Sequence, residues 1–215
     1  MATDAIFIDR CDLNRSLGTL MDAHKAVFAY INAPLFECMV SENLFDLGIG
    51  HVVVAKMGKT GVLGVGAFLL DVYCLGVKGA FFHVCDETEY RERILSRMTR
   101  NQKFVPMEGA CAPTLIEGAV EYARKLGIPP HKDYRLASKL LLNLNSADCS
   151  TEFEYGRDGK PLFVAGPNDG PGKCDRILEL LRQKCGPDGY NYLLPVQDYG
   201  EESPSEEDED DPFES

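Results

Sequence analysis

Asp71, Cys74 and Lys78 place a carboxylate, a thiol and an amine around Gly76 in the segment Asp71-Val-Tyr-Cys-Leu-Gly-Val-Lys78. The segment closes an apolar run that a folded chain must bury, and burying such groups without partners is costly. It is therefore either a functional centre or a bonded structural corner. His131 and Asp133 follow the rigid Pro129-Pro130 pair and form a second group. Together, Asp71, Lys78, His131 and Asp133, with Glu37 as a further carboxylate, could hold a divalent ion and stabilise a phosphoryl or acyl transition state. His131 would act as acid or base there, because imidazole titrates near neutral pH.

Cys74 offers a different chemistry. Lys78 could favour its thiolate and His131 could take its proton. Its place in a strand-like apolar run favours a packed thiol instead. The structural alternative for the four residues makes Asp71 and Lys78 an ion pair bracing a glycine turn. His131 and Asp133 then cap a helix that starts near Tyr134.

The elements that position these residues are read from period and punctuation. Leu17, Leu20, Met21, His24, Val27, Phe28 and Ile31 share one face of a helix over 16–31, with Ser16 as its cap and His24 at the core edge. Phe36, Val40, Leu44 and Leu47 predict a second helix from Pro34, stopped by Gly48 and Gly50. His51 to Met57 and Val62 to Val72 read as strands joined by the tight turn Gly58-Lys-Thr-Gly61. Gly64 and Gly66 in the second strand mark close approach of another element. Ala80 to Val84 is a third strand or a helical turn. Residues 87–100 predict a charged helix with Tyr90, Ile94, Leu95 and Met98 inward, and 101–111 read as irregular.

Pro113 to Leu126 predicts the clearest helix, stopped by Gly127. Gly118 in its middle costs about 1 kcal/mol against alanine, which points to close packing, with the sheet as the expected neighbour. A further helix follows over 134–142. Gly156-Arg-Asp-Gly-Lys160 between Phe153-Glu-Tyr155 and Pro161-Leu-Phe-Val164 predicts a hairpin. A helix over 173–185 stops at Gly186, and 187–199 supply an edge strand. The expected fold is α+β: an antiparallel sheet with helices packed on one face, in one domain over 1–200. A sub-boundary near 100–113 is the alternative to one continuous fold.

Charge and cysteine usage bound the function. Of 215 residues, 34 are acidic and 22 basic, and nine of the acids lie in 201–215, which carry no base. Without that segment the body carries about −3, unlike a duplex nucleic-acid binder. The segment reads as a disordered acidic tail. The eight cysteines are scattered without a CxxC pair. Most are expected to be small buried hydrophobes in a reducing compartment, with no metal site. MATDAIFIDR has no secretion-signal pattern, and no apolar run is long enough to span a membrane, so a cytoplasmic location is expected. Arg91, Arg93, Arg97, Arg100 and Lys103 could form a basic stripe for nucleic acid. Glu87, Glu89 and Glu92 offset it, and a solvated helix face is the plainer account.

Gly50-His-Val-Val-Val-Ala55, Phe68-Leu-Leu-Asp-Val-Tyr-Cys-Leu-Gly-Val-Lys78, Leu115-Ile-Glu-Gly-Ala-Val-Glu-Tyr-Ala123 and Leu126-Gly-Ile-Pro-Pro-His-Lys-Asp133 resemble segments of an uncharacterised bacterial protein family with no established activity. Glu152-Phe-Glu-Tyr-Gly156 and Gly159-Lys-Pro161 extend the resemblance, which spans roughly 34–170. It implies that Asp71, Cys74, Gly76, Lys78, Gly118, Tyr122, His131 and Asp133 matter. Gly79 stands where that family has an acid after the lysine, which weakens any scheme needing a carboxylate there.

The expected function is a cytoplasmic, non-catalytic binding or regulatory module with a protein partner, off the membrane and with no cofactor indicated. The alternative is a divalent-metal-dependent hydrolase or nuclease using Asp71, Lys78, His131 and Asp133.

Overall fold

The computed structural model describes residues 20–195, apart from 101 and 168. Ser16, Leu17 and the acidic segment 201–215 lie outside the described residues. The elements in chain order are α1 (Leu20–Tyr30), β1 (Leu35–Ser41), α2 (Leu44–Leu47), β2 (Ile49–Met57), β3 (Leu63–Asp71) and β4 (Gly76–Cys85). A continuous helical segment over 87–98, α3, follows. It is built from an α turn (Glu87–Glu89), a π-helix (Tyr90–Leu95) and a second α turn (Ser96–Met98). Then come β5 (Phe104–Pro106), α4 (Cys111–Lys125), α5 (Tyr134–Ala137), β6 (Leu162–Val164), α6 (Pro171–Cys185) and β7 (Asn191–Leu193).

Five strands form an antiparallel sheet in the order β4-β3-β2-β1-β5, so the fold is α+β. The Gly58–Gly61 turn joins β2 to β3 as its residues predict, with the Gly58 amide bonded to the Val62 carbonyl. β3 is buried along its whole length. On one face Val52, Val54, Phe68 and Leu70 pack under α1, α4 and α5. On the other, Val53, Ala55, Val65 and Ala67 pack under Tyr90, Ile94 and Met98 of α3. Burial on both faces explains why β2 and β3 read as continuous apolar runs rather than alternating ones.

Gly64 and Gly66 sit where the helices approach most closely. A Cβ at Gly64 would strike the Tyr30 ring, and one at Gly66 would lie 3.2 Å from Leu140. Gly118 is also a close-packing glycine, but its neighbour is Tyr155, not the sheet. The Tyr155 hydroxyl donates to the Leu115 carbonyl at 2.9 Å, clamping the 153–155 segment to α4.

Several elements differ from the reading of the sequence. The segment from Pro34 is the strand β1, with only Leu44–Leu47 helical before Gly48 in the left-handed region at φ 74°. A bulge between Leu35 and Glu37 breaks the alternation that would have revealed the strand. Residues 104–106, expected to be irregular, pair with β1. His24 is exposed rather than packed at the core edge. The helix expected over 134–142 is α5 followed by a 3-10 turn, Ser138–Leu141.

The turn expected at 156–160 does form. Asp158 and Gly159 both have positive φ, and Arg157 and Lys160 exchange backbone hydrogen bonds. Its arms do not continue as a hairpin. The Gly156 amide bonds to the Val72 carbonyl, and the Leu162 amide bonds to the Tyr73 carbonyl. Both arms thus dock on the β3–β4 corner, and β6 pairs parallel with β7 instead.

Candidate functional site

Asp71 ends β3 and opens the corner that returns as β4 at Gly76. Its Oδ1 accepts the amides of Tyr73 at 3.1 Å and Cys74 at 2.8 Å, and the Leu75 amide also bonds to the carboxyl. The carboxyl serves as an Asx cap for the corner, a role that short acids fill well. Burial pushes its pKa up to about 6, against the pull of Lys78 and the three amides in the other direction. Gly76 follows with φ 66°.

Lys78 occupies the extra position where the β3–β4 register shifts between Leu69 and Leu70. A bulge of this kind re-aims a side chain. Its ammonium lies near Gly166 and lowers the pKa of both Asp71 and Asp169 electrostatically. It is not within 4 Å of any carboxylate among the described residues. The expected Asp71–Lys78 ion pair is therefore a longer-range coupling. Backbone amides, rather than the lysine, satisfy Asp71 directly.

His131 reaches the same corner through its main chain. Its amide donates to the Val77 carbonyl at 2.9 Å. Its Nδ1 accepts the Asp133 amide at 3.3 Å and lies 3.8 Å from the Asp133 carboxylate. Asp133 occupies the N-cap position of α5 but makes no side-chain capping bond, unlike the expected cap. The Leu136 and Ala137 amides bond to its main-chain carbonyl instead. The fold thus brings Asp71 and Lys78 to one corner and hangs His131 and Asp133 beside Val77.

The remaining candidates have other partners. Cys74 is fully buried, and burial drives its pKa far above the ordinary thiol range, with Asp71 adding to the rise. The thiolate needed for nucleophilic attack is disfavoured there. Glu37 lies on the α3 side of the sheet, where its Oε2 accepts the Tyr90 hydroxyl at 2.7 Å. The basic stripe is partly neutralised. Arg91 pairs with Glu87, Arg93 with Glu89, and Lys103 with Glu42.

Among the described residues, the loop before α6 also lacks an open anion cradle. Asp169 fills it with its own carboxylate, accepting the Gly166 amide at 2.9 Å and pairing with Lys173.

Two buried polar groups escaped the sequence reading. Lys56 is 1% exposed, and its ammonium donates to the Ile31 and Leu142 carbonyls at 2.8 and 3.0 Å, with burial bringing its pKa down to about 8. It bolts the end of α1 and the turn after Ser138–Leu141 to β2. Its signal was a lysine continuing the inward alternation of Val52 and Val54. His51 is also buried, and burial lowers its pKa, against the opposing pull of the Gln102 contact. Its amide donates to the Ser41 Oγ at 2.8 Å, and that hydroxyl donates to the Gln102 Oε1 at 2.7 Å. The His51 Nδ1 lies 3.2 Å from the same Oε1. An amide oxygen only accepts, so this contact is a hydrogen bond in the tautomer that carries its proton on Nδ1.

Among the described residues most of the cysteines are buried and free, as their spacing suggests: Cys38, Cys74, Cys85 and Cys174 are enclosed, and Cys185 is half-buried. Cys111 and Cys149 form a disulfide that spacing alone did not signal. Among the described residues no three His, Cys, Asp or Glu side chains converge as a metal site requires. No helix of those residues is long and apolar enough to cross a membrane. No family model, curated protein or solved structure matches the chain.

The buried carboxyl gives a pH-dependent expectation. Asp71 has a folded pKa raised from 3.8 to about 6, so its contribution to stability is fully present below pH 3.8 and is lost as pH rises through 6. Asp71→Asn keeps the Oδ1 acceptor and abolishes the charge. Its stability relative to wild type should rise by about 3 kcal/mol between pH 3.5 and pH 7.5, since each pKa unit is worth about 1.4 kcal/mol. Urea unfolding of both proteins at the two pH values measures this. A difference that does not change with pH would show that the carboxyl is not desolvated in the folded chain.

Proposed function

We propose that the chain is a non-catalytic binding or regulatory module of the cytoplasm. One observation carries this reading: the acid and imidazole best suited to chemistry are engaged by their own backbone. Asp71 closes the corner amides, and the His131 ring receives the Asp133 amide. The nearby thiol is sealed. A catalytic group instead needs to face a substrate-sized opening within hydrogen-bond reach. The free buried thiols fit a reducing compartment, and the Cys111–Cys149 disulfide is the exception to that pattern.

The competing reading is a divalent-metal-dependent hydrolase or nuclease on Asp71, Lys78, His131 and Asp133. Calorimetric titration with magnesium and with manganese separates the two. The wild-type protein should give no saturable heat beyond dilution, and Asp71→Asn should match it. Saturable heat in the wild type that disappears in the folded variant would replace the binding module with the metal enzyme.

A further inference from the structure

A shallow, solvent-open pocket of about 480 Å³ lies on the α3 side of the sheet, between β1, the end of α3 and β5. That volume lies in the range of small-molecule sites. Met39, Leu95 and Phe104 supply apolar walls, and Thr99, Arg100, Gln102 and Lys103 supply polar ones. The polar groups are not equivalent. Lys103 is held by Glu42 at 2.7 Å. The Arg100 guanidinium has no hydrogen bond or ion pair among the described residues.

Gln102 is built in from behind. Its Oε1 accepts the Ser41 hydroxyl at 2.7 Å and lies 3.2 Å from the buried His51 ring, so these two contacts occupy the oxygen. The Nε2 therefore keeps its two donors. It bonds to no described residue, and it is not enclosed: Thr114 Oγ1 is the one buried side-chain polar atom without a partner among the described residues. The cavity thus combines apolar walls, one cation unmatched among the described residues and one amide whose nitrogen is left to donate. A planar oxyanion on an apolar body satisfies all three at once, because guanidinium and amide N–H groups both favour carboxylate oxygen.

We propose that this cavity binds a small amphipathic carboxylate, with its acid group between Arg100 and Gln102 and its apolar part against Met39, Leu95 and Phe104. The proposal rests on the binding-module reading and names its ligand class.

The test uses octanoate as the probe, with octanol as the uncharged arm and inorganic phosphate as the charged arm lacking an apolar body. Amide NMR shifts are followed in wild type, Arg100→Ala and Thr99→Trp. Arg100 and Thr99 are exposed, so both variants should keep the wild-type spectrum away from the cavity. Octanoate should shift saturably the amides around Met39, Leu95 and Phe104. Arg100→Ala should weaken octanoate about tenfold and leave octanol unchanged, the loss expected for one charge-assisted hydrogen bond. Thr99→Trp should abolish the shifts by filling the mouth.

Absence of octanoate shifts, shifts elsewhere on the protein, or equal affinity in Arg100→Ala would overturn the proposal. Phosphate matching octanoate in affinity would overturn it as well, because the apolar walls would then contribute nothing. Those failures leave the binding-module reading standing if the metal titration is silent. Saturable metal heat at Asp71 removes that reading whatever octanoate does.

Discussion

Reduction of the Cys111–Cys149 bond should lower the unfolding free energy by about 4 kcal/mol. The two cysteines are separated by 38 residues. Closing a loop of that length removes unfolded-state entropy worth about 4 kcal/mol in the chain-entropy account. The loop contains all of α4 and α5, so the bond ties the start of the main covering helix to the segment after the second 3-10 turn, Ser146–Asp148. The other described cysteines are free, so among those residues a thiol reductant acts on this bond alone. Urea unfolding with and without reductant gives the difference, and Cys149→Ala should reproduce the reduced value. Coincident transitions in the two conditions would mean that the bond constrains nothing.

Gly76→Ala should cost a comparable amount, about 4 kcal/mol. Two penalties combine at this position. Its φ of 66° is a left-handed conformation that costs an alanine about 1–2 kcal/mol. The added Cβ would also sit 2.8 Å from both the Ala119 carbonyl oxygen and the Ala123 Cβ. Both belong to α4, whose backbone cannot yield without lifting off the sheet, and such overpacking costs about 1–3 kcal/mol more. Gly159 is the internal control. It has a similar φ of 75° and no atom within 4 Å of an added Cβ, so Gly159→Ala should cost only the conformational part, about 1–2 kcal/mol. Equal losses at the two glycines would remove the contact with α4 from the explanation.

The parts of this fold legible in the sequence are those whose signal is local. The β2–β3 hairpin follows from β-branched runs around Gly58-Lys-Thr-Gly61, and α4 from Pro113 near its start and Gly127 past its end. Gly64, Gly66 and Gly118 are each identifiable as a close approach. What approaches them is not, because Tyr30, Leu140 and Tyr155 arrive from distant parts of the chain.

β1 was hidden by its bulge, which turns Phe36 and Glu37 to the α3 side and leaves a spacing of four between Phe36, Val40 and Leu44 that imitates a helix. The 156–160 turn was legible because Asp-Gly selects positive φ. The fate of its arms was not, because the Val72 and Tyr73 carbonyls compete for their amides. At the candidate site, the crowding of Asp71, Cys74 and Lys78 was visible from their spacing. Whether the acid faces solvent, metal or its own backbone depends on the corner geometry. The cavity beside Arg100 was invisible for a different reason: its walls come from β1, α3 and β5, and Gln102 and His51 meet across 51 residues.

The order of the strands bears on how the sheet comes apart. β1 through β4 form a meander in which each strand pairs with its neighbour in sequence, so each closure spans a short loop. β5 joins at the far edge, beyond β1, and only after the chain has travelled through three more strands and α3. It contributes three residues, none of them fully buried. Loop-closure entropy makes such a late, short attachment the least secure part of a sheet, and local opening begins at such parts well before global unfolding. Phe104 of this strand is also a wall of the cavity. The cavity is therefore bounded by the meander on one side and by a detachable edge on the other. An occupant that bridges β1 and β5 would close the sheet as it binds, and its affinity would be registered as slower fraying of the strand that joins last.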